Sequence, residues 1–424
     1  MLAEEEEAAL RWAAAIVKDD PRAATGLLVT GRLLGELGRR EVGREACGVA
    51  LARAIDLENL PLAVAVAREM EQLGGDLGAA LDEIAGAFCR GSARLGEGMP
   101  PPPPMPPAES FQPLHAVLQG ASLLNKATEL VHEAKRLLAE ETSRPGIASL
   151  PLFSRIGAEG LRALLGTLTP VWLGADVRVI EQGAIGTEAY FVARGELVAE
   201  REKDGQKEVL ARLTNGAVFG EMALLSRGPR AGSVVTARPS IVVRADREAL
   251  DAVAEAHPEV GAELAAYGRD RMVENLFRMS DLFRVVRDEG RLAVVTRSTT
   301  RLFEAGERLL TRGQRAPGVF LLASGEVRLF GVDAASGEPL VEGTRGAGDV
   351  VGAAATVLRR PVEADVIAVH PTVSLFLAAE ELAGLFDEHP TVLLGFYKLA
   401  VRRDEEATSI QAEEASVVDD SVLV

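Results

Sequence analysis

Cysteine and histidine are scarce in this sequence, and each scarcity excludes something. Two cysteines, Cys47 and Cys89, stand in 424 residues. That is too few for a disulfide scaffold, and both fall in Ala-rich helical patterns where a small core side chain is the simplest reading. The five histidines, His115, His132, His257, His370 and His389, are scattered and lack the spacing of a metal set. No uninterrupted apolar run approaches the ~18 residues of a membrane-spanning helix, so no membrane insertion is expected. The first residues, MLAEEEEAALRWAAA, are acidic where a secretory signal needs a basic start, which points to the cytoplasm. Basic residues are outnumbered: 46 Lys and Arg face 63 Asp and Glu, a net charge of -17 and a pI near 5.0. That balance argues against a nucleic-acid partner, whose phosphates call for a basic face. No Walker-type glycine loop and no GxSxG elbow is present, and no nucleophile is paired with an evident base. The chain therefore reads as a non-enzyme with no catalytic residues, no metal and no cofactor.

Apolar residues make up 47% of the chain, mostly Ala, Leu and Val, enough for the two to four domains its length implies. Residues 5 to 95 carry an amphipathic helical pattern. ELGRREVGREACGVALARA and QLGGDLGAALDEIAGAFCR read as two versions of one unit, with Leu37-Gly38 and Leu73-Gly74 placed 36 residues apart. Small residues after an LG turn suit paired helices of a solenoid, and the stretch resembles tetratricopeptide repeats, without their aromatic positions. A plain helical bundle fits equally well. GMPPPPPMPPAES, 98–110, is a stiff spacer. Residues 111–149 follow as connecting helices too short for a core of their own, expected to pack against what comes next.

Near residue 150 the period changes. AYFVAR, ELVAER, KEVLARL, SVVTA and SIVVRA alternate with glycine turns such as EQGAIG, ARGE and TNGA, the rhythm of a small antiparallel barrel or jelly roll. Helical sequence brackets it. The whole pattern then returns about 130 residues later: ARGELV as ASGEVR, EQG as TRG, DREALDAVAEAHPEV as AAEELAGLFDEHPTV. The expected boundaries are 1–97 for the helical domain, 98–110 for the linker, 111–149 for the connecting helices, 150–278 and 279–400 for the two barrels, and 401–424 for an acidic, disordered tail.

One segment of the first copy carries chemistry. In FGEMALLSRGPRAGSVVTA, 219–237, Glu221 lies nine residues ahead of Arg230, and small residues surround both. Backbone N–H groups freed by glycine form an anion-binding concavity, and an arginine there can fork onto a singly charged phosphodiester. A carboxylate repels phosphate but accepts a hydrogen bond from a sugar hydroxyl. Together they describe a nucleotide pocket. An internal Glu221–Arg230 salt bridge that pins the loop fits the residues as well.

The stretch resembles the phosphate-binding cassette of the cyclic nucleotide-binding domain family, which runs approximately F-G-E-x-A-L, several residues, then P-R-x-A and Ser or Thr. Phe219, Gly220, Glu221, Ala223, Leu224, Pro229, Arg230, Ala231 and Ser233 match it; Gly232 departs, where the family has Ala, which points to a looser loop. The resemblance implies that Arg230 holds the cyclic phosphate and Glu221 the ribose 2′-hydroxyl. Gly220, Ala231 and Ser233 complete the pocket through backbone or hydroxyl contacts. Ala231 stands where Thr favours guanine in the family, which leans toward cAMP over cGMP. Tyr267, in the helix after the barrel, is placed either to stack on the purine or simply to pack that helix.

In the second copy Ala353 stands in register with Glu221 and Val362 with Arg230, so this copy keeps the fold and loses the site. Packing, homodimerisation or receipt of a signal from the first copy remain for it. Bacterial regulators attach a DNA-reading helix-turn-helix to such a sensor, and the source reads as bacterial. Here only TVLLGFYKLAVRRDEEATS and an acidic tail follow, so no reader helix is in view. The expected architecture is a multidomain α+β chain: a helical N-terminal domain followed by two β jelly-roll barrels with flanking helices. Its expected action is cyclic mononucleotide binding in the first barrel, relayed to a protein partner through the N-terminal helices. The alternatives are a non-switching scaffold or a transcription-related regulator.

Overall fold

The structure is a computed structural model, described here for residues 2–96, 112–203, 206–222, 228–332 and 339–401. The proline-rich spacer 98–110 and, apart from Val401, the acidic tail lie outside the described residues. Five helices open the chain: α1 (Leu2–Asp19), α2 (Ala24–Glu36), α3 (Arg40–Asp56), α4 (Leu60–Gln72) and α5 (Leu77–Phe88). Their ends are written in the sequence. Asn59 caps α4 by accepting from Leu62 N at 3.0 Å, with Pro61 in the first turn, and Asp76 caps α5 by accepting from Ala79 N at 3.1 Å. Both LG pairs stop a helix, with Gly38 at φ 87° and Gly74 at φ 83°. The bonds from Arg39 N to Leu34 O (2.7 Å) and Gly75 N to Met70 O (2.7 Å) close these left-handed caps.

Helix α6 (Gly120–Glu140) does not serve the element that follows it. Its Leu123, Ala127 and Val131 are buried with Leu10, Leu33 and Leu34 in the core of the preceding helices, which corrects the sequence expectation. The reason is its apolar stripe, which finds the open face of α1–α3. Beyond it, Glu141 accepts from Arg53 at 2.6 Å and Asp56 from Arg144 at 2.6 Å, tying the chain back onto α3.

After α7 (Ala158–Thr167) come eight strands: β1 (Thr169–Leu173), β2 (Arg178–Ile180), β3 (Glu188–Arg194), β4 (Leu197–Lys203), β5 (Gln206–Leu213), β6 (Val218–Phe219), β7 (Ser233–Thr236) and β8 (Ser240–Asp246). They form two antiparallel sheets, ordered β1-β8-β3-β6 and β2-β7-β4-β5, around Val192, Leu197, Phe219 and Val242. Helices α8 (Arg247–Ala256), α9 (Pro258–Met279), α10 (Asp281–Val285) and α11 (Asp288–Arg297) lead to the second set. This comprises β9 (Thr299–Phe303), β10 (Arg308–Leu310), β11 (Gly318–Ser324), β12 (Glu326–Val332), β13 (Pro339–Gly346), β14 (Val350–Val351), helix α12 (Ala353–Val357), β15 (Asp365–Ala368) and β16 (Thr372–Ala378). Helix α13 (Ala379–Glu388) and a helical stretch at 390–401 follow. The strand orders β9-β16-β11-β14 and β10-β15-β12-β13 repeat the first set. Even the register slips repeat: β3 against β8 between Val192 and Arg194, β11 against β16 between Leu322 and Ser324. His257 and His389 end α8 and α13 alike, a structural repetition.

The chain divides into two compact units. One holds residues 1–181, 188–221 and 232–267; the other holds 182–187, 222–231 and 268–424. Within the first, the helical layer is fastened to α7 and to the barrel's strands. Asn59 Nδ2 donates to Ala193 O at 2.8 Å, Arg68 donates to the carbonyls of Gly166 and Leu168, and the Arg32 guanidinium lies 4.8 Å from the Trp172 ring centroid. The helices are thus packed in one compact unit with the first barrel.

Candidate functional site

The cassette begins where β6 leaves its sheet. Val218 and Phe219 pair with Phe191 and Tyr190, and the Phe219 ring stacks on Tyr190 at 5.1 Å, buried in the barrel core. Gly220 then takes φ 76°, a left-handed turn that favours glycine, and Glu221 opens a helical turn, half-buried. Residues 223–227, with the motif positions Ala223 and Leu224, lie outside the described residues. On the far side of the cassette, Ser233 begins β7 opposite Glu200 of β4 and is buried. Gly232 meets the same strand so closely that a Cβ there would lie 2.7 Å from Glu200 O. The departure from the family's alanine therefore marks a close approach of two backbones, where the sequence suggested a looser loop. Gly220, Glu221, Gly232 and Ser233 all belong to the first compact unit.

Arg230 and Ala231 belong to the second unit, together with the turn 182–187. Arg230 is 8% exposed although it carries a guanidinium, whereas Ala231 is exposed. Its backbone is zipped to that turn: Arg230 N donates to Ala184 O at 2.9 Å, Gly183 N donates to Arg230 O at 2.9 Å, and Pro229 bridges to Ile185. The side chain crosses directly over Gly186, where a Cβ would stand 2.5 Å from Cζ. Two further cassette residues pack within this unit. Met222 touches the apolar cluster built on Phe283, Val319 and Leu375, and a Cβ on Gly228 would lie 3.0 Å from Pro371 O.

Residues 170–257 and 300–389 match the family model of the cyclic nucleotide-binding domain. Both barrels belong to the cyclic nucleotide-binding domain family. Among curated relatives, a cAMP-dependent protein kinase regulatory subunit of Colletotrichum orbiculare is 28% identical over 235 residues, 53% of this chain and 56% of that one. A protein of the same name from Mycosarcoma maydis is 33% identical over 91 residues, 22% of this chain and 17% of its own length. The chain thus spans about half or less of these relatives. The solved regulatory domain of Toxoplasma gondii PKA with cAMP aligns at 22% identity and a TM-score of 0.30, over 59% of this chain and 92% of that one. The two curated relatives are fungal regulatory subunits, and they lend no support to a bacterial source.

The second cyclic nucleotide-binding domain keeps the cassette backbone and changes its chemistry. Gly352 holds φ 82° ahead of α12, as Gly220 holds its own turn, and Ala353 is fully buried where Glu221 stands in the first domain. Gly313 N donates to Val362 O at 2.8 Å and Val362 N to Gln314 O at 2.9 Å, the same pair of bonds that frames Arg230. Val362 is buried among Ala316, Phe320 and Val351. Both charged positions have become buried apolar side chains, each in its own apolar cluster. Among the described residues no group of three His, Cys, Asp or Glu could hold a metal ion, and no helix is long and apolar enough to cross a membrane.

One determinant escaped sequence reading and another was misjudged. Gly186 is unremarkable in a glycine-rich turn and Gly232 read as slack, yet each is a contact point. For Gly186 a signal existed: aligned through the repeat, it becomes Ala316 just where Arg230 becomes Val362.

Proposed function

We propose that this chain is a cyclic nucleotide-responsive regulatory protein that binds cAMP in its first cyclic nucleotide-binding domain and acts through another protein. The observation that carries this reading is the contrast between Arg230 and Val362. A buried guanidinium on a backbone-pinned turn suits a singly charged cyclic phosphate, whereas the same turn in the second domain holds an aliphatic side chain in an apolar cluster. In a chain of net charge -17, an anionic ligand needs such a local cation. Arg230 takes the phosphate and Glu221 the ribose 2′-hydroxyl, while Gly220, Ala231 and Ser233 line the ligand. Alanine after the arginine favours cAMP over cGMP. The second domain binds neither. The domain limits are those set out from the sequence, with the tetratricopeptide-like reading of the N-terminal helices kept as part of this proposal.

Met222 and Gly228 pack in the second compact unit, and that unit also takes Met272 and Leu276 of α9 into its core. A ligand that reorders the cassette thereby acts on groups already in contact with the silent domain. Coupling demands unequal affinity for two arrangements, typically about 1–3 kcal/mol. The relatives' name, regulatory subunit of a protein kinase, supports a protein as receiver, with the N-terminal helices as the presenting surface. The test is capture of partners by the full chain with and without saturating cAMP, alongside the Arg230→Ala variant. Partners that change with cAMP only in the unmutated chain bear the proposal out. An identical set in all four samples overturns switching and leaves a passive scaffold.

A further inference from the structure

Gly186 has no side chain, and that is its contribution. A Cβ built there would overlap the Nε and Nη2 atoms of Arg230 and stand 2.5 Å from Cζ, so the guanidinium occupies the space a methyl group would fill. The backbone does not ask for glycine at this point. Gly186 is absent from the residues at positive φ, whereas Gly183 three residues earlier sits at φ 80°. The repeat supplies the control. The second domain builds the same turn, with the bridge of Arg315 to Pro361 answering that of Ile185 to Pro229. There Ala316 occupies the position of Gly186, buried in one apolar cluster with Val362. A methyl group is therefore compatible with the turn, and it stands where the arginine has been lost.

We infer that Gly186 is a positioning residue for the anion site: its missing side chain is the seat that holds the Arg230 guanidinium, and in the silent domain the pair Gly186/Arg230 is answered by Ala316/Val362. The inference rests on the reading of Arg230 as phosphate ligand for its effect on affinity, but the seat itself is a matter of packing. Adding a methyl displaces the far end of a flexible side chain and leaves the backbone untouched, so the fold survives while the guanidinium moves.

The experiment uses the full chain and four proteins: unmutated, Gly186→Ala, Arg230→Ala, and both together. Calorimetric titration with cAMP should show Gly186→Ala weakening binding by about 10- to 100-fold, the loss of a charge-assisted hydrogen bond. The double variant should be no weaker than Arg230→Ala alone, because both changes remove one interaction. In parallel, the Nε–H resonance of Arg230, assigned by its disappearance in Arg230→Lys, should move in Gly186→Ala with no ligand present, while the melting temperature stays put. Additive losses, or an unmoved resonance, overturn the inference. If the unmutated chain fails to bind cAMP and the resonance still moves, the seat stands and the cyclic nucleotide reading falls.

Discussion

Asn59 offers the sharpest test of whether the helical layer is latched to the first barrel. Its Oδ1 accepts from Leu62 N at 3.0 Å and caps α4, while its Nδ2 donates to Ala193 O at 2.8 Å. Ala193 is fully buried at the register slip of β3, where the ladder to β8 skips from Val192 to Arg194. Asn59→Ser keeps a cap and loses the donor to the barrel; Asn59→Ala loses both. A cap is worth about 1 kcal/mol, and leaving a buried carbonyl unpartnered costs about 1–3 kcal/mol. We expect a loss of about 1–3 kcal/mol for Asn59→Ser and about 2–4 kcal/mol for Asn59→Ala. The assay is urea denaturation followed by tryptophan fluorescence. The chain has two tryptophans, Trp12 and Trp172, and both lie in the first compact unit, so the signal reports that unit alone. If Asn59→Ser is as stable as the unmutated chain, the bond to Ala193 O contributes nothing and the helical layer is not latched at this point.

Two further outcomes follow from burial and close contact. Burial is the main influence raising the Glu69 carboxyl above its ordinary value, with Glu36 adding to it and Arg32 opposing. The ionised form is thus disfavoured in the folded chain, and this cost is absent below the unfolded value near pH 4.3 and sets in as pH rises through the folded one. Glu69→Gln should raise the melting temperature at pH 7.5 and leave it unchanged near pH 4; a gain at both, or at neither, contradicts the assignment. Gly232→Ala forces a Cβ to 2.7 Å from Glu200 O and should cost about 1–3 kcal/mol in the same fluorescence assay; an unaltered midpoint would mean the two backbones part without penalty.

Much of the architecture was legible because it is periodic. Glycines at 183, 195, 216 and 220 take left-handed turns between the strands that the alternating runs mark out, and their counterparts at 313, 325, 348 and 352 do likewise. The cassette register was equally open to reading, since Pro229 and Pro361 anchor the comparison that sets Val362 against Arg230. What stayed hidden depends on partners distant in sequence. Nothing local tells that Asn59 reaches Ala193, or that the stripe of α6 turns back to Leu10 and Leu34 instead of forward. Gly232 showed the limit of motif reading: a family departure looked like added slack, and the backbone of β4 pressing against it explains the residue instead.

On the proposed function, one of two like domains binds a cyclic mononucleotide because it alone keeps the buried arginine. Calorimetric titration of the full chain with cAMP measures this directly through stoichiometry. One site per chain is predicted, abolished or weakened at least about 10-fold by Arg230→Ala and untouched by Val362→Ala. Two sites per chain, or a single site that survives Arg230→Ala with its affinity intact, would contradict the account.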